Sequence, residues 1–192
     1  KRISLQSVKR QQRFLKMLQI IPLQNHKTHV EFSKNLYENS FPEEERREFS
    51  QLSDIYKNYN LELNIIIQEK QLVGILNQWK FDEVLYIEHL AIHPEYRNKK
   101  IATKLLEELS KKHKTIVLEV ELPTDEVSRK RIAFYQRAGF CIEPYNYYQP
   151  PYRKGEKAIQ MHIMTKTKTP IKKEEYQTII DTIRKKVYEK FW

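Results

Sequence analysis

The period of hydrophobic and polar positions changes along the chain, and these changes predict its elements. Residues 61–69 and 72–81 are rich in β-branched and aromatic side chains and are joined by a short polar link, which predicts an antiparallel hairpin. Residues 85–92 predict a third strand. An amphipathic helix over 101–112 then leads to another strand over 115–122. A strand, helix, strand connection makes its two strands parallel, so a mixed sheet is expected.

Two helices are predicted before this strand region. After a strand over 17–23, the spacing of apolar residues predicts a helix over 26–40. A second helix is expected to begin at Pro42, because the fixed φ of proline suits a first helical turn. The glutamates at 43–45 would then interact favourably with the N-terminal end of its macrodipole.

The second half of the chain continues with helices and strands. A helix with Thr124 as its N-cap is expected to end at Gly139, and strands are predicted over 140–147 and 159–164. An amphipathic helix follows Pro170, and it carries one apolar stripe. We expect this stripe to pack on its own chain, with a homodimer contact as the alternative. Its members are Tyr176, Ile179, Ile180, Ile183 and Val187.

Composition and charge narrow the class of protein. The 192 residues are 40% hydrophobic and contain one cysteine, which indicates a single core without disulfides in a reducing, cytoplasmic setting. No apolar run approaches the roughly 18 residues needed to span a membrane, so no membrane partner is expected. The net charge of +10 comes from residues 1–16 and 166–192, while 17–165 sum to zero. A nucleic-acid partner is therefore not favoured, since it would need a basic face on the folded body.

The segment from Tyr86 to Thr103 carries the clearest chemical signal. It is predicted to be a buried strand followed by a basic turn that opens a helix. Free N–H groups at a helix start, surrounded by basic side chains, form a site for a phosphate-bearing cofactor. The basic side chains are Arg97, Lys99, Lys100 and Lys104.

Glu88 is the candidate general base, because it is a carboxylate on a strand that is apolar on both faces. The alternative is a glutamate at a sheet edge or one paired with a neighbouring Arg or His. Glu119 and Glu121 on the next strand are rival bases, although a solvated face would also explain their alternation. In a regular strand His89 would point away from Glu88, and we interpret it as a core histidine.

Two motifs resemble those of the GNAT superfamily of acetyl-CoA-dependent N-acetyltransferases. The first runs from Glu88 to Leu109 and contains the turn Arg97-Asn-Lys-Lys-Ile-Ala102. The second is Ser128-Arg-Lys-Arg-Ile-Ala-Phe-Tyr-Gln-Arg-Ala-Gly-Phe140. With the order of the intervening elements, the resemblance covers about residues 17–165, so 1–16 form a basic N-terminal segment and 166–192 a C-terminal helix.

The resemblance implies an α/β fold: a mixed, mostly antiparallel twisted sheet with a splayed central parallel pair and helices on both faces. It also implies acetyl-CoA as co-substrate and Tyr135 as the acid that protonates the thiolate. Lys100 stands where the family usually has a glycine, which costs on the order of 1 kcal/mol if φ is positive there. The residues expected to bind the co-substrate are Leu90, Ile92, Arg97, Asn98, Lys99, Lys100, Ile101, Ala102 and Thr103.

The leading hypothesis is an enzyme that acetylates a primary amine of a small molecule or a protein by direct attack in a ternary complex. The alternative is a non-catalytic acyl-CoA-binding protein, which is suggested by Lys100 in place of the usual glycine. Neither a cofactor beyond acetyl-CoA nor a metal is expected. For the acceptor, Arg46 with its neighbour Arg47, Glu119 and Tyr147 are the candidate binding residues, although solvated arginines and sheet aromatics explain the same pattern.

Overall fold

The computed structural model of this chain describes residues 18–191, so the predicted basic segment over 1–16 lies outside the described residues. Eight strands form one sheet: β1 Gln19–Pro22, β2 Leu61–Gln68, β3 Gln71–Phe81, β4 Val84–Ile92, β5 Thr115–Glu121, β6 Cys141–Ile142, β7 Tyr147–Gln149 and β8 Ile159–Thr167. The α-helices are α1 Lys27–Ser40, α2 Phe49–Asn58, α3 Ile101–Lys112, α4 Glu126–Arg137 and α5 Lys173–Ile183.

The strand order is β1-β2-β3-β4-β5-β8-β6, with β7 also paired to β8. Only β4 and β5 run parallel among the described pairs; all the others are antiparallel. The predicted mixed, mostly antiparallel sheet with a central parallel pair is therefore confirmed. Its physical origin is the α3 crossover, because two strands joined by a helix must run in the same direction.

Helices cover both faces of the sheet. On one face α1, α2 and α5 pack against a cluster that includes Tyr37, Trp79 and Ile183. On the other face α3 and α4 pack against a cluster that includes Leu105 and Ile132. The strands are apolar on both sides because each side faces a helical layer. Within residues 18–191, no helix is both long enough and apolar enough to cross a bilayer.

The C-terminal helix packs on the sheet of its own chain. Tyr176, Ile179 and Ile183 of the predicted stripe are buried. After Ile183 the backbone turns into a π-helical turn over Arg184–Tyr188, which places one more residue in the turn than an α-helix does. Both Val187 and Tyr188 in this turn are fully buried.

The prediction of one helix beginning at Pro42 is wrong. The glutamates form a single 3₁₀ turn, Glu43–Glu45, and the backbone then becomes extended at Arg46 before α2 begins. This interruption allows the next side chain, Arg47, to enter the core, where it is 2% exposed. A continuous helix would have kept these residues on a helical surface.

Two further boundaries also differ from prediction. Asp125, not Thr124, caps α4, because its carboxylate accepts a hydrogen bond from the Ser128 N–H at 2.7 Å in a capping box. The strand expected over 140–147 is split into β6 and β7, with Pro144 between them, and proline has no N–H to donate to a ladder. The stop at Gly139 is confirmed, with φ of 90°.

Candidate active site

A cavity of about 870 Å³ opens where the two parallel strands separate. Pairing between β4 and β5 ends at Ile87 and Leu118. Beyond this point β4 still pairs with β3, and β5 still pairs with β8, but the two strands no longer pair with each other. The predicted splaying of the central parallel pair is therefore present, and we call the opening the fork.

A β-bulge lies at the fork. Gln78 pairs with Ile87 and Asn77 pairs with His89, which leaves Glu88 as the extra residue on β4. An extra residue breaks the alternation of side chains along the strand. The contacts of Glu88 and His89 both lie on the sheet face that carries α1 and α5. The prediction that His89 points away from Glu88 is therefore wrong, because the strand is not regular there.

The Glu88 carboxylate is directed into the protein interior. It accepts a 2.7 Å hydrogen bond from Trp79 Nε1 and forms an ion pair with Arg47 Nε at 3.5 Å. Its side chain is 0% exposed, although the residue borders the cavity, so its exposed surface belongs to the main chain. This arrangement matches the alternative of a glutamate paired with an arginine.

The Arg47 side chain is buried and holds neighbouring parts of the chain together. Its guanidinium donates to the Val187 carbonyl and lies 4.7 Å from the centre of the Tyr152 ring. Its backbone N–H donates to the Tyr37 hydroxyl at 3.0 Å. The neighbouring Arg46 donates from Nε to the Phe41 carbonyl at 3.1 Å and is not among the residues that line the cavity.

His89 is a buried histidine with one satisfied nitrogen. Its Nε2 donates to the Glu45 carbonyl at 3.0 Å, and its ring contacts those of Tyr37 and Phe41 edge-on. Burial lowers the pKa of His89, so the imidazole is neutral at neutral pH. It therefore positions the 3₁₀ turn against β4, as expected for a core histidine.

Glu119 is the carboxylate that combines access to the cavity with an unusual electrostatic environment. It follows Leu118, so it is the first residue of β5 beyond the fork. Tyr147 donates to its Oε1 at 2.5 Å, and Tyr188 donates to its Oε2 at 2.8 Å. Burial raises the pKa of Glu119 to about 7, although these hydrogen bonds oppose the rise. Glu119 therefore does not lie on a solvated strand face, which was the alternative explanation for its position.

Two more carboxylates border the same end of the cavity. Glu121 accepts a hydrogen bond from Arg131 Nη1, and Glu45 comes from the 3₁₀ turn opposite. Burial, followed by repulsion from the Glu121 carboxylate, raises the pKa of Glu45 to about 7. The arrangement suits a cationic ligand. Within residues 18–191, no group of three or more His, Cys, Asp or Glu residues is placed to hold a metal ion.

The other end of the cavity is the predicted phosphate-binding turn. Asn98 and Lys100 have left-handed backbones, with φ of 62° and 59°, and Lys100 is the N-cap of α3. The first-turn N–H groups of α3 have no acceptor within the helix, and residues 101–103 line the cavity. Lys99 does not line it; its ammonium lies 4.9 Å from the centre of the Tyr96 ring.

Main-chain groups of β4 line the cavity between these two ends. The His93 N–H donates to the Val73 carbonyl of β3 at 2.9 Å. Main-chain groups alternate in direction along an antiparallel strand, so those of Ile92 and Leu90 face the edge that β5 has left. The Ile92 carbonyl accepts from Arg97 Nε at 3.0 Å, which agrees with this direction.

Tyr135 borders the cavity from α4. Its ring packs against those of Phe134 and Phe140, with centroids 5.1 and 5.5 Å away. Burial raises the pKa of Tyr135 to about 12, so its hydroxyl keeps its proton throughout the neutral range. It can therefore donate a proton or a hydrogen bond into the cavity.

The structure brings most of the predicted residues to one cavity, with five exceptions. Four basic residues are not on its wall, namely Arg46, Arg47, Lys99 and Lys104, and Tyr147 lies behind Glu119, to which it donates. Sequence reasoning missed Glu45, Gln149 and Tyr188. Their side chains reach the site through a 3₁₀ turn, a three-residue strand and a π-helical turn, and no hydrophobic period predicts these short or irregular elements.

The cavity at the fork has a helix start at one end and carboxylates at the other. This is the arrangement expected of an acyltransferase that uses a phosphate-bearing acyl donor. The family model for the acetyltransferase (GNAT) family matches residues 30–140, more than half of the chain. This chain belongs to the GNAT acetyltransferase family.

Similar proteins are described as acetyltransferases. YjbC of Bacillus subtilis (strain 168), which is named as an acetyltransferase, is 32% identical over 103 residues, or 52% of each chain, so this chain matches about half the length of that curated relative. A solved structure from Bacteroides thetaiotaomicron, described as from the GNAT family, is 36% identical with a TM-score of 0.81 and covers 88% of this chain and 98% of its own.

The fold is also shared with more distant structures. A GNAT acetyltransferase from Elizabethkingia anophelis with acetyl-CoA bound has a TM-score of 0.51 and 19% identity, with 78% of this chain and 97% of its own chain covered. At this identity the likeness concerns the fold alone.

Proposed function

We propose that this chain transfers an acetyl group from acetyl-CoA to a primary amine of a small molecule or a protein. The observation that carries the proposal is the fork, where one cavity joins an anion-binding helix start to a set of carboxylates. The diphosphate of acetyl-CoA would bind the N–H groups at the start of α3. The pantetheine arm would occupy the gap between β4 and β5 as an additional strand.

Main-chain N–H groups of Leu90 and Ile92 would bind the thioester and amide oxygens. Their direction is fixed by the β3–β4 ladder, so they are donors that need no rearrangement during the reaction. Preorganised donors of this kind stabilise the negative charge that develops on a carbonyl oxygen.

We assign the general base to Glu119. A primary amine is mostly protonated at neutral pH, and a carboxylate with a pKa of about 7 can accept its proton. Glu88, the first candidate, is buried against Arg47 and Trp79, which supports a structural role for it. The neutral amine then attacks the thioester carbon, the C–S bond breaks, and Tyr135 protonates the departing thiolate. The proton shed by the new amide nitrogen restores the Tyr135 hydroxyl, and Glu119 releases its proton to solvent.

The acceptor is proposed to be cationic, because the three carboxylates of Glu45, Glu119 and Glu121 line the same end of the cavity. The test is CoA release from acetyl-CoA in the presence of a panel of amines, namely a polyamine, an aminoglycoside and a lysine peptide. We expect release with at least one of them. An enzyme-only control is needed with thiol dyes because Cys141 is an exposed thiol. Binding of acetyl-CoA without release by any amine would support the non-catalytic alternative instead.

Glu119→Gln tests the assignment of the base. The rate of the wild-type chain should fall below about pH 7, as Glu119 becomes protonated, and the variant should lose most activity together with this acid limb. Glu121→Gln is the comparison variant, since it neutralises another carboxylate of the cavity; it should raise KM for a cationic amine but keep the acid limb. An unchanged acid limb in Glu119→Gln would remove Glu119 from the mechanism.

A further inference from the structure

The chain between residues 173 and 191, which we call the C-terminal segment, lies beyond the stretch that matches the family model. It comprises α5, the π-helical turn and a short 3₁₀ turn. Through Tyr188 this segment reaches Glu119 at the fork. A part of the chain outside the matched stretch therefore touches the proposed base.

The Tyr188 hydroxyl has three polar neighbours and is fully buried. It lies 2.8 Å from Glu119 Oε2, 2.9 Å from Gln149 Nε2 and 3.0 Å from the Tyr86 hydroxyl. Tyr188 is the last residue of the π-helical turn, and Val187 beside it is fully buried as well.

The directions of these hydrogen bonds follow from the number of protons. Tyr188 has one hydroxyl proton, and an ionised carboxylate can only accept, so that proton goes to Glu119. Tyr188 must then accept from Gln149 and Tyr86. The Gln149 amide is thereby held with its NH₂ group towards Tyr188, so its oxygen points elsewhere.

That oxygen is the unexplained group. Gln149 is 5% exposed and lines the cavity, yet its Oε1 has no hydrogen-bond partner among the described residues. A buried acceptor without a donor is costly. Tyr188 holds Gln149 beside Glu119, so an ammonium or amine bound against the Glu119 carboxylate is placed to supply a donor to this oxygen as well.

We propose that Gln149 Oε1 and Glu119 together form the subsite for the acceptor amine, and that Tyr188 is the positioning residue that orients both. This inference rests on the proposed function, because it concerns the amine of that reaction. Glu119 takes one proton of the ammonium, and Gln149 Oε1 accepts a hydrogen bond from a second N–H. The C-terminal segment is therefore part of the acceptor site.

Tyr188→Phe tests the positioning role. Loss of a donor disfavours the charged carboxylate, so the acid limb of kcat/KM should move up by about one pH unit. Carbon-13 NMR of glutamate carboxyls, with the Glu119 resonance assigned by its absence in Glu119→Gln, should show the same shift without any turnover. Tyr176→Phe is the matched control: Tyr176 is a buried tyrosine of the same segment, and its hydroxyl has no hydrogen-bond partner in the described part of the chain. It should leave both readouts unchanged.

Gln149→Met tests the second half of the subsite. It keeps the length of the side chain and removes the oxygen, so KM for the amine should rise about tenfold while KM for acetyl-CoA stays constant. The position of the acid limb should change less than in Tyr188→Phe. Thermal melting of each variant reports whether it folds, and if Tyr188→Phe does not fold, Gln149→Met alone decides the subsite.

The outcomes separate this inference from the proposed function. If no amine releases CoA, or Glu119→Gln keeps its acid limb, the proposed function or its base is wrong. If Glu119→Gln behaves as proposed but the carboxyl titration is the same in Tyr188→Phe and in the wild-type chain, the positioning role is wrong. An unchanged KM for the amine in Gln149→Met would remove Gln149 from the subsite.

Discussion

At the scale of single residues, Lys100 occupies a backbone position that usually favours glycine. Its φ of 59° is the left-handed conformation that glycine adopts without steric cost. Lys100 lines the cavity next to the first N–H groups of α3. The position that normally favours glycine therefore carries a positive charge towards a ligand that would bring a diphosphate.

Lys100→Gly should have two opposite effects. Relief of the left-handed backbone should raise the free energy of unfolding by about 1 kcal/mol. Loss of the ammonium should weaken acetyl-CoA binding by roughly fivefold and reduce its dependence on salt. Calorimetry at two salt concentrations and urea unfolding measure these effects.

Asn98→Gly is the matched control for Lys100→Gly, because Asn98 also has a positive φ but no charge. It should leave the salt dependence of acetyl-CoA binding unchanged. Equal affinity of the wild-type chain and Lys100→Gly would sink the idea that this position tunes binding.

Tyr135→Phe is expected to slow turnover while leaving the fold intact. The ring keeps its contacts with Phe134 and Phe140, and only the hydroxyl is lost. We expect a fall in kcat of about 10²-fold, typical of losing a general acid, with little change in KM for either substrate. Tyr148→Phe, at a tyrosine that is 57% exposed, is the control. Unchanged kcat in Tyr135→Phe would exclude the hydroxyl from proton transfer.

At the scale of elements, the buried ion pair joins three parts of the chain. Arg47 comes from the link between the 3₁₀ turn and α2, Glu88 from the bulge of β4, and the Val187 carbonyl from the π-helical turn. Each charge is removed from water, so each depends on its partner for compensation. The pair therefore fixes the position of the C-terminal segment relative to the fork.

Arg47→Met should lower the free energy of unfolding by about 3–5 kcal/mol, because it leaves the Glu88 carboxylate buried without an opposite charge. Combining it with Glu88→Gln should recover a large part of this loss, since the amide oxygen can still accept from Trp79 and no charge remains. Urea unfolding measures both. Arg46→Met, at the half-exposed neighbour, should cost less than about 1 kcal/mol. A double variant that is no more stable than Arg47→Met would contradict this account.

At the scale of the whole molecule, the buried carboxylates of the proposed site should lower the free energy of unfolding at neutral pH. In the folded chain the pKa values of Glu119 and Glu45 are raised to about 7 from an ordinary value of 4.5. The folded chain thus binds more protons than the unfolded chain between these values. Stability contributed by the protonated carboxyls is present at low pH and is lost as pH rises to about 7.

Glu119→Gln should therefore be more stable than the wild-type chain at pH 8, and the difference should shrink as pH falls towards 5. His89 acts in the opposite direction, because burial lowers its pKa, so the comparison is made between variants rather than on one profile. Urea unfolding at four pH values from 5 to 8 gives the difference. Parallel curves for the two chains would show that Glu119 titrates alike in the folded and unfolded states.

The sequence alone determined the order of the main elements, the parallel crossover and the basic turn at the start of α3. These depend on local periodicity and on short motifs, which a single segment carries within itself. Periodicity likewise predicted the apolar stripe of the C-terminal helix and the stop at Gly139. It was also enough to name Glu119 as a rival base.

The tertiary structure decided which carboxylate faces the cavity. Glu88 and Glu119 are both glutamates on neighbouring apolar strands, and nothing local separates them. The bulge turns the Glu88 side chain towards Arg47, while the end of β4–β5 pairing exposes Glu119, and both depend on contacts between distant segments. The π-helical turn that places Tyr188 beside Glu119 likewise depends on packing. Protonation and orientation at the site are set by burial and partners, which exist only once the chain has folded.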